Sequence, residues 1–265
     1  MQWVFHVFLR KMKVIVGGIA AEYQDEGSGL TLLFLHGWKD DLHTFDRLVR
    51  LFVPPYRTVR IDLPGFGQTE TPQCPWRLED YVRFVDDFLR KLNIRPLALV
   101  GHSFGGRVLI KGVSAGILKP QKIVLIDSAG IAKSCTLKNR LLTLAAKIGK
   151  AATFLPPFVF WRKEIRRKLY EKIGSDYFAA GALKDTFLTI IREDLTGAAS
   201  NIACPVLLLW GADDSVTPVA DGRRLSHIIP HASLNVIEGA GHFVHREKPE
   251  EVAALIKKFL QDLRD

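Results

Sequence analysis

Short apolar runs alternate with amphipathic helical stretches along nearly the whole chain, and this alternation restricts the fold more than any other feature. Thr31–Leu35 (TLLFL), Leu97–Val100, Lys122–Ile126 and Val206–Trp210 are mostly apolar runs. Such runs fit strands covered on both faces, as in a parallel sheet. Val14–Val16 and Ile19–Tyr23 flank Gly17-Gly18, a hairpin signal. Tyr56–Ile61 and Ser233–Ile237 complete the set of strands. Between them, Leu78, Tyr81, Val82, Val85, Phe88, Leu89 and Leu92 recur at spacings of three and four, which predicts a helix over Leu78–Leu92. Thr44–Phe52, Gly105–Ala115, a stretch after Pro218 and Pro249–Leu263 read as further helices. The fold class that follows is α/β: a mostly parallel, eight-stranded twisted sheet flanked by helices.

The strand signal stops between residues 129 and 200. Leu137–Ala152 and Glu164–Ile173 look helical there, with Pro156-Pro157 between them. The expected organisation is a core domain from residues 1–128 and 201–265, with residues 129–200 inserted after the sixth strand as a helical cap, or lid. Thirteen Lys and Arg face six Asp and Glu in this block, so it carries +7 of the formal net charge of +9. The bland reading of that charge is a solvated outer face of the cap. Weak contact of the basic cap with anionic lipid is the sharper one. No nucleic-acid motif accompanies the charge, so nucleic acid is not an expected partner.

At 48% hydrophobic and 25% charged, the 265 residues have ample side chain for a core, which excludes a disordered chain. No apolar run approaches the roughly 18–20 uncharged residues of a membrane-spanning helix. Cys74, Cys135 and Cys204 are far apart and form no CxxC pair. They suggest neither a disulfide framework nor a zinc site, and they suit a reducing, cytoplasmic setting. Cys74 reads as an idle surface thiol, Cys135 and Cys204 as packing residues. His227 and His231 are spaced like helical metal ligands, but Pro230 lies between them and no carboxylate completes a set. The basic residues Arg10, Lys11 and Lys13 follow rather than precede the first apolar stretch, so residues 1–11 read as a first strand or loose extension, not a secretory leader.

Gly101-His102-Ser103-Phe104-Gly105 fits G-x-S-x-G at the junction of a strand and a helix. That context suits a sharp turn that presents a serine hydroxyl at the sheet edge. A serine needs a base. His242, in Gly239-Ala240-Gly241-His242-Phe243 after the last strand, is the candidate, and His245 reads as a surface residue. The base needs a carboxylate to fix its tautomer. Asp214 is favoured, Asp213 reads as a turn cap, and Asp127 is a rival acid or a loop anchor. An oxyanion hole calls for main-chain N–H donors. Phe104, after the serine, supplies one candidate, and Trp38 in His36-Gly37-Trp38 the other, with His36 bracing that loop.

On these motifs, together with Asp62-Leu63-Pro64-Gly65-Phe66-Gly67 and Trp210-Gly211, the chain resembles the α/β-hydrolase family, in its serine hydrolase or esterase branch with a helical cap. The resemblance runs from about Met12 to the end. It implies the triad order Ser103, Asp214, His242, an oxyanion hole at Trp38 and Phe104, and supporting roles for His36, Gly37, Gly101, His102 and Gly105. The family's usual acid lies four residues before a proline, here Pro218, which favours Asp214. Dehalogenases and epoxide hydrolases of this fold carry Asp at the nucleophile position, which here is Ser103. Haloperoxidase-like members and prolyl aminopeptidases usually carry Trp where this chain has Phe104.

The expected activity is cofactor-independent hydrolysis of small to medium carboxylic esters through an acyl-enzyme. Lactones or a carbon–carbon bond are alternatives for the same triad. A non-catalytic ligand receptor on the same fold is the reading from a different class. The expected partner is a small-molecule ester or lactone, with no cofactor and no metal, and the chain is expected to be a monomer or dimer.

Overall fold

The structure is a computed structural model, and it describes residues 12–131 and 181–261. Residues 1–11 and most of the expected cap, including both helices predicted within it and Cys135, lie outside the described residues.

Eight strands form one sheet: β1 (Met12–Val16), β2 (Ile19–Glu26), β3 (Thr31–Leu35), β4 (Arg57–Ile61), β5 (Ala98–His102), β6 (Lys122–Ile126), β7 (Val206–Gly211) and β8 (Ala232–Ile237). Their order across the sheet is β1-β2-β4-β3-β5-β6-β7-β8. β2 runs antiparallel to both β1 and β4, and every other pair is parallel. The hairpin turn places Gly17 and Gly18 at φ +56° and +84°, the left-handed pair a two-residue turn of this twist requires. Every residue of β3, β5, β6 and β7 is buried, as the apolar runs predict.

Helices cover both faces: α1 (Asp46–Val49), α2 (Leu78–Lys91), α3 (Phe104–Ser114), α4 (Lys184–Arg192), α5 (Thr196–Ala199), α6 (Val219–Ile228), α7 (Val244–Glu247) and α8 (Pro249–Gln261). One apolar cluster joins the inner faces of α2, α3 and α6 to Leu33, Leu99, Leu125 and Leu208. A second, on the opposite face, joins α1 and α8 to Phe34, Val100, Val124 and Leu209. The odd and even residues of one strand thus feed two different cores.

Two elements depart from the sequence expectation. The helix predicted over Thr44–Phe52 is a 3-10 turn at Leu42–Phe45 followed by the single turn of α1. Beyond it the chain meets Pro54 and Pro55, which have no N–H to continue a helix. β2 extends past Tyr23 to Glu26, because Tyr23–Glu26 pairs with Thr58–Ile61 of β4. This polar end carries buried charge: the Arg60 guanidinium donates to both Glu26 and Asp46.

Candidate active site

The step from β5 into α3 runs through a strained residue. Ser103 adopts φ +48° and ψ −106°, a left-handed conformation that costs a non-glycine residue free energy. The surroundings fix it. Its N–H donates to the Ile126 carbonyl at 3.0 Å, and its own carbonyl accepts from Arg107 and Ala129, both at 3.1 Å. The flanking glycines let β5, β3 and α3 approach this closely. A Cβ on Gly101 would stand 2.6 Å from the Gly106 nitrogen. One on Gly105 would run into the Leu35 carbonyl.

Three loops at the carboxyl ends of β5, β7 and β8 then bring the predicted triad residues together. His242 Nε2 lies 3.1 Å from Ser103 Oγ, and His242 Nδ1 lies 2.8 Å from Asp214 Oδ2. A carboxylate only accepts, so Nδ1 carries the proton and Nε2 is left to accept from the serine. Asp214 Oδ1 accepts from the main-chain N–H groups of Val216 and Thr217, at 2.7 and 3.0 Å. Burial pushes the Asp214 carboxyl up, but the hydrogen bonds from His242 and Thr217 outweigh it and hold the group below the usual carboxylate range. It is therefore an anion beside the imidazole.

The other loop, after β3, is held by the His36 side chain. His36 is fully buried; its Nε2 accepts from the Leu63 N–H at 2.9 Å, so Nδ1 donates to the Gly37 carbonyl at 2.7 Å. Gly37 must lack a side chain, since a Cβ there would come 2.9 Å from His102 Nδ1. The Asp40 N–H closes the turn onto the Gly37 carbonyl and leaves the Trp38 N–H outside that turn. The Phe104 N–H opens α3, where main-chain N–H groups have no partner within the helix and the dipole favours negative charge. The two rings pack edge to face at 5.3 Å. Trp38 also meets Phe66 at 4.9 Å and Phe187 of α4 at 5.0 Å. A cavity of about 320 Å³ beside them is lined by Trp38, Asp41, Gly65, Phe66 and Leu183 among others.

Two residues, His245 and Asp213, differ from the sequence expectation. His245 is not at the surface: it is fully buried, with Nε2 2.9 Å from Thr44 Oγ1. Asp213 does not cap its turn. Its side chain is exposed, and Asp214 takes the turn's N–H groups instead. Thr217, which the motifs did not single out, places Oγ1 2.7 Å from Asp214 Oδ2 and 3.3 Å from His242 Nδ1. Its position next to Pro218, three residues past the acid, was the available signal. Asp127 sits as the loop anchor of its two readings: Oδ1 accepts from the Gly211 N–H at 2.9 Å and Oδ2 from the Val244 N–H at 3.4 Å. Cys74 is exposed and Cys204 half-buried, both as free thiols. Among the described residues no cluster of His, Cys, Asp and Glu could hold a metal ion, and no helix is long and apolar enough to cross a membrane.

Burial, reinforced by the charge of Asp214, pushes the Asp127 carboxyl up to about 8 against the pull of the Gly211 and Val244 N–H groups. A carboxyl raised on folding holds its proton more tightly in the folded chain. Its stabilising contribution is therefore full below the ordinary carboxylate range and is lost as pH rises through about 8. Urea midpoints of the wild type should fall relative to Asp127→Asn as pH is raised from about 5 to about 8. Parallel pH profiles for the two proteins would contradict this assignment.

Comparison with known proteins places the fold. The pattern of the alpha/beta hydrolase family matches residues 32–255. A bacterial membrane phospholipase A has a TM-score of 0.76 and 26% identity, covering 97% of this chain and 87% of its own. A thermophilic esterase from Thermogutta terrifontis has a TM-score of 0.72 and 21% identity, covering 97% of this chain and all of its own. The 3-oxoadipate enol-lactonase 2 of Acinetobacter baylyi is 28% identical over 243 residues, 86% of this chain and 89% of that protein. With sheet order, strained serine turn and family pattern in agreement, the chain belongs to the alpha/beta hydrolase family.

Proposed function

We propose that this chain is a serine hydrolase of carboxylic esters, with Ser103 as nucleophile, His242 as base and Asp214 as the acid that orients it. The observation that carries this reading is the unbroken hydrogen-bonded line from Ser103 Oγ through the His242 ring to Asp214 Oδ2. Ser103 Oγ attacks the ester carbonyl while its proton passes to His242 Nε2. The Trp38 and Phe104 N–H groups receive the negative charge that forms on the carbonyl oxygen. His242 then gives its proton to the departing alkoxide, leaving the acyl group on Ser103. A water that loses a proton to His242 attacks this acyl-enzyme, and the carboxylic acid leaves as His242 returns that proton to Ser103 Oγ. The buried Asp214 anion stabilises the imidazolium at each step. No cofactor enters the scheme.

Residues 129–200 are proposed as the lid over this site. Their described part supports this, since Phe187 packs on Trp38 and Leu183 lines the cavity beside it. The aromatic wall favours an apolar acyl group of small to medium length. A lactone is an internal ester and needs no other machinery. Similarity to an enol-lactonase makes lactones the second substrate class to test.

A panel of p-nitrophenyl esters of rising acyl length, run beside several lactones, tests the activity. Turnover should peak at short to medium acyl chains. Folded protein that turns over no ester and no lactone would refute the proposal.

A further inference from the structure

The residue before Ser103 transfers no proton in this scheme, yet its side chain is wholly buried against the base. His102 Nε2 lies 2.8 Å from the main-chain carbonyl oxygen of His242. A carbonyl can only accept, so Nε2 carries the proton and donates it. Nδ1 is then the bare nitrogen, and it is buried with no partner among the described residues. The ring is packed against the rings of His242 at 4.9 Å, His245 at 4.5 Å and Phe243 at 5.2 Å. His245 is held in turn by Thr44. Burial keeps both His102 and His245 uncharged.

The loop that carries the base is tied on either side of His242: the Ala240 carbonyl accepts from the Asp213 N–H, the Gly241 N–H donates to Glu247, and the Val244 N–H donates to Asp127. Gly239, at φ +63°, and Gly241 lie within three residues of His242. Two neighbouring residues of one strained turn therefore grip His242 at two points: Ser103 Oγ meets its ring, and His102 Nε2–H meets its main chain.

We infer that His102 is a positioning residue for the base: its Nε2–H clamps the main chain of His242 and holds the imidazole at hydrogen-bonding distance from Ser103. The catalytic consequence rests on the triad reading above, whereas the clamp itself is a property of the loop and is tested apart from activity. An imidazole that wanders by about 1 Å can cost on the order of 10²-fold in rate without weakening substrate binding.

Three proteins decide it: wild type, His102→Leu, which has no donor, and His102→Gln, whose amide N–H reaches the Nε2 position. Each is measured for p-nitrophenyl butyrate kcat and KM, and for hydrogen exchange of peptides spanning residues 238–248, with melting temperatures as a folding control. His102→Leu should lose about 10–100-fold in kcat with KM within about threefold, and its 238–248 amides should exchange faster. His102→Gln should stay within about fivefold of wild type in kcat and match its exchange. Unchanged kcat and exchange in His102→Leu would overturn the inference. So would a His102→Gln protein as impaired as His102→Leu. If wild type itself hydrolyses no ester, the proposed activity fails, and the exchange comparison alone decides whether the clamp exists.

Discussion

Ser103→Ala should lose at least about 10⁴-fold in ester turnover while its circular dichroism stays that of the wild type. The substitution removes one oxygen and nothing that holds the turn. The bonds that fix this strained position run from the Ser103 N–H to Ile126 and from Arg107 and Ala129 to the Ser103 carbonyl, and all are main-chain bonds that alanine keeps. Oγ is the atom within reach of His242 Nε2, so no acyl-enzyme can form without it. On the proposed mechanism, what remains is polarisation of the substrate by the Trp38 and Phe104 amides, which accounts for residual catalysis only. Asp214→Asn should be less severe but still large, because an amide cannot both accept from His242 and keep the anion that favours imidazolium. Ser103→Ala that turns over p-nitrophenyl butyrate at the wild-type rate would remove Ser103 from the mechanism. A receptor that kept only the fold would bind the same ligands with either residue at position 103.

Gly105→Val should cost more than about 4 kcal/mol of folding free energy, enough to leave the protein largely insoluble or unfolded. The glycine stands where α3 crosses the end of β3. Its added Cβ would fall on the Leu35 carbonyl, 2.6 Å from the Leu35 carbonyl carbon and 2.8 Å from the His36 oxygen. All of these atoms are backbone, and β3 is buried along its whole length between β4 and β5. No rotamer relieves the overlap, so the helix must lift off the sheet. Lifting it empties contacts around Val108 and Leu109 and carries Ser103 and Phe104 away from His242. Gly197→Ala is the matching control, since a Cβ there meets nothing within 4 Å. It should be neutral or slightly stabilising, alanine being the better helix former. A Gly105→Val protein with the wild-type denaturation midpoint would show that α3 is not seated as described.

The residues that were legible in the sequence are those whose chemistry or spacing is local. Continuous apolar runs marked β3, β5, β6 and β7, and the glycines around Ser103 marked the turn, because both are consequences of a few adjacent residues. The polar end of β2 was not legible. Tyr23-Gln24-Asp25-Glu26 looks like a loop until β4 supplies its ladder and Arg60 supplies the partner of Glu26. His245 was misread for the same reason: its neighbour Thr44 is 201 positions away in the chain. Spacing to Pro218 singles out Asp214 over Asp213 in the sequence, and the turn is what faces its carboxylate to His242. Thr217 matters through a hydroxyl placed by that same turn. The helix predicted at Thr44–Phe52 overran because its apolar spacing is right while the prolines that follow and the 3-10 start shorten it.

The most direct test is a fluorophosphonate probe followed by digestion and mass spectrometry. An activated serine attacks the phosphorus, displaces fluoride and keeps the phosphonyl group as a stable adduct. Wild-type protein should carry one adduct, on the peptide that contains Ser103, and His242→Ala should carry almost none over the same interval. Labelling of a different serine, or an unlabelled wild type beside a reactive control hydrolase, would contradict the account.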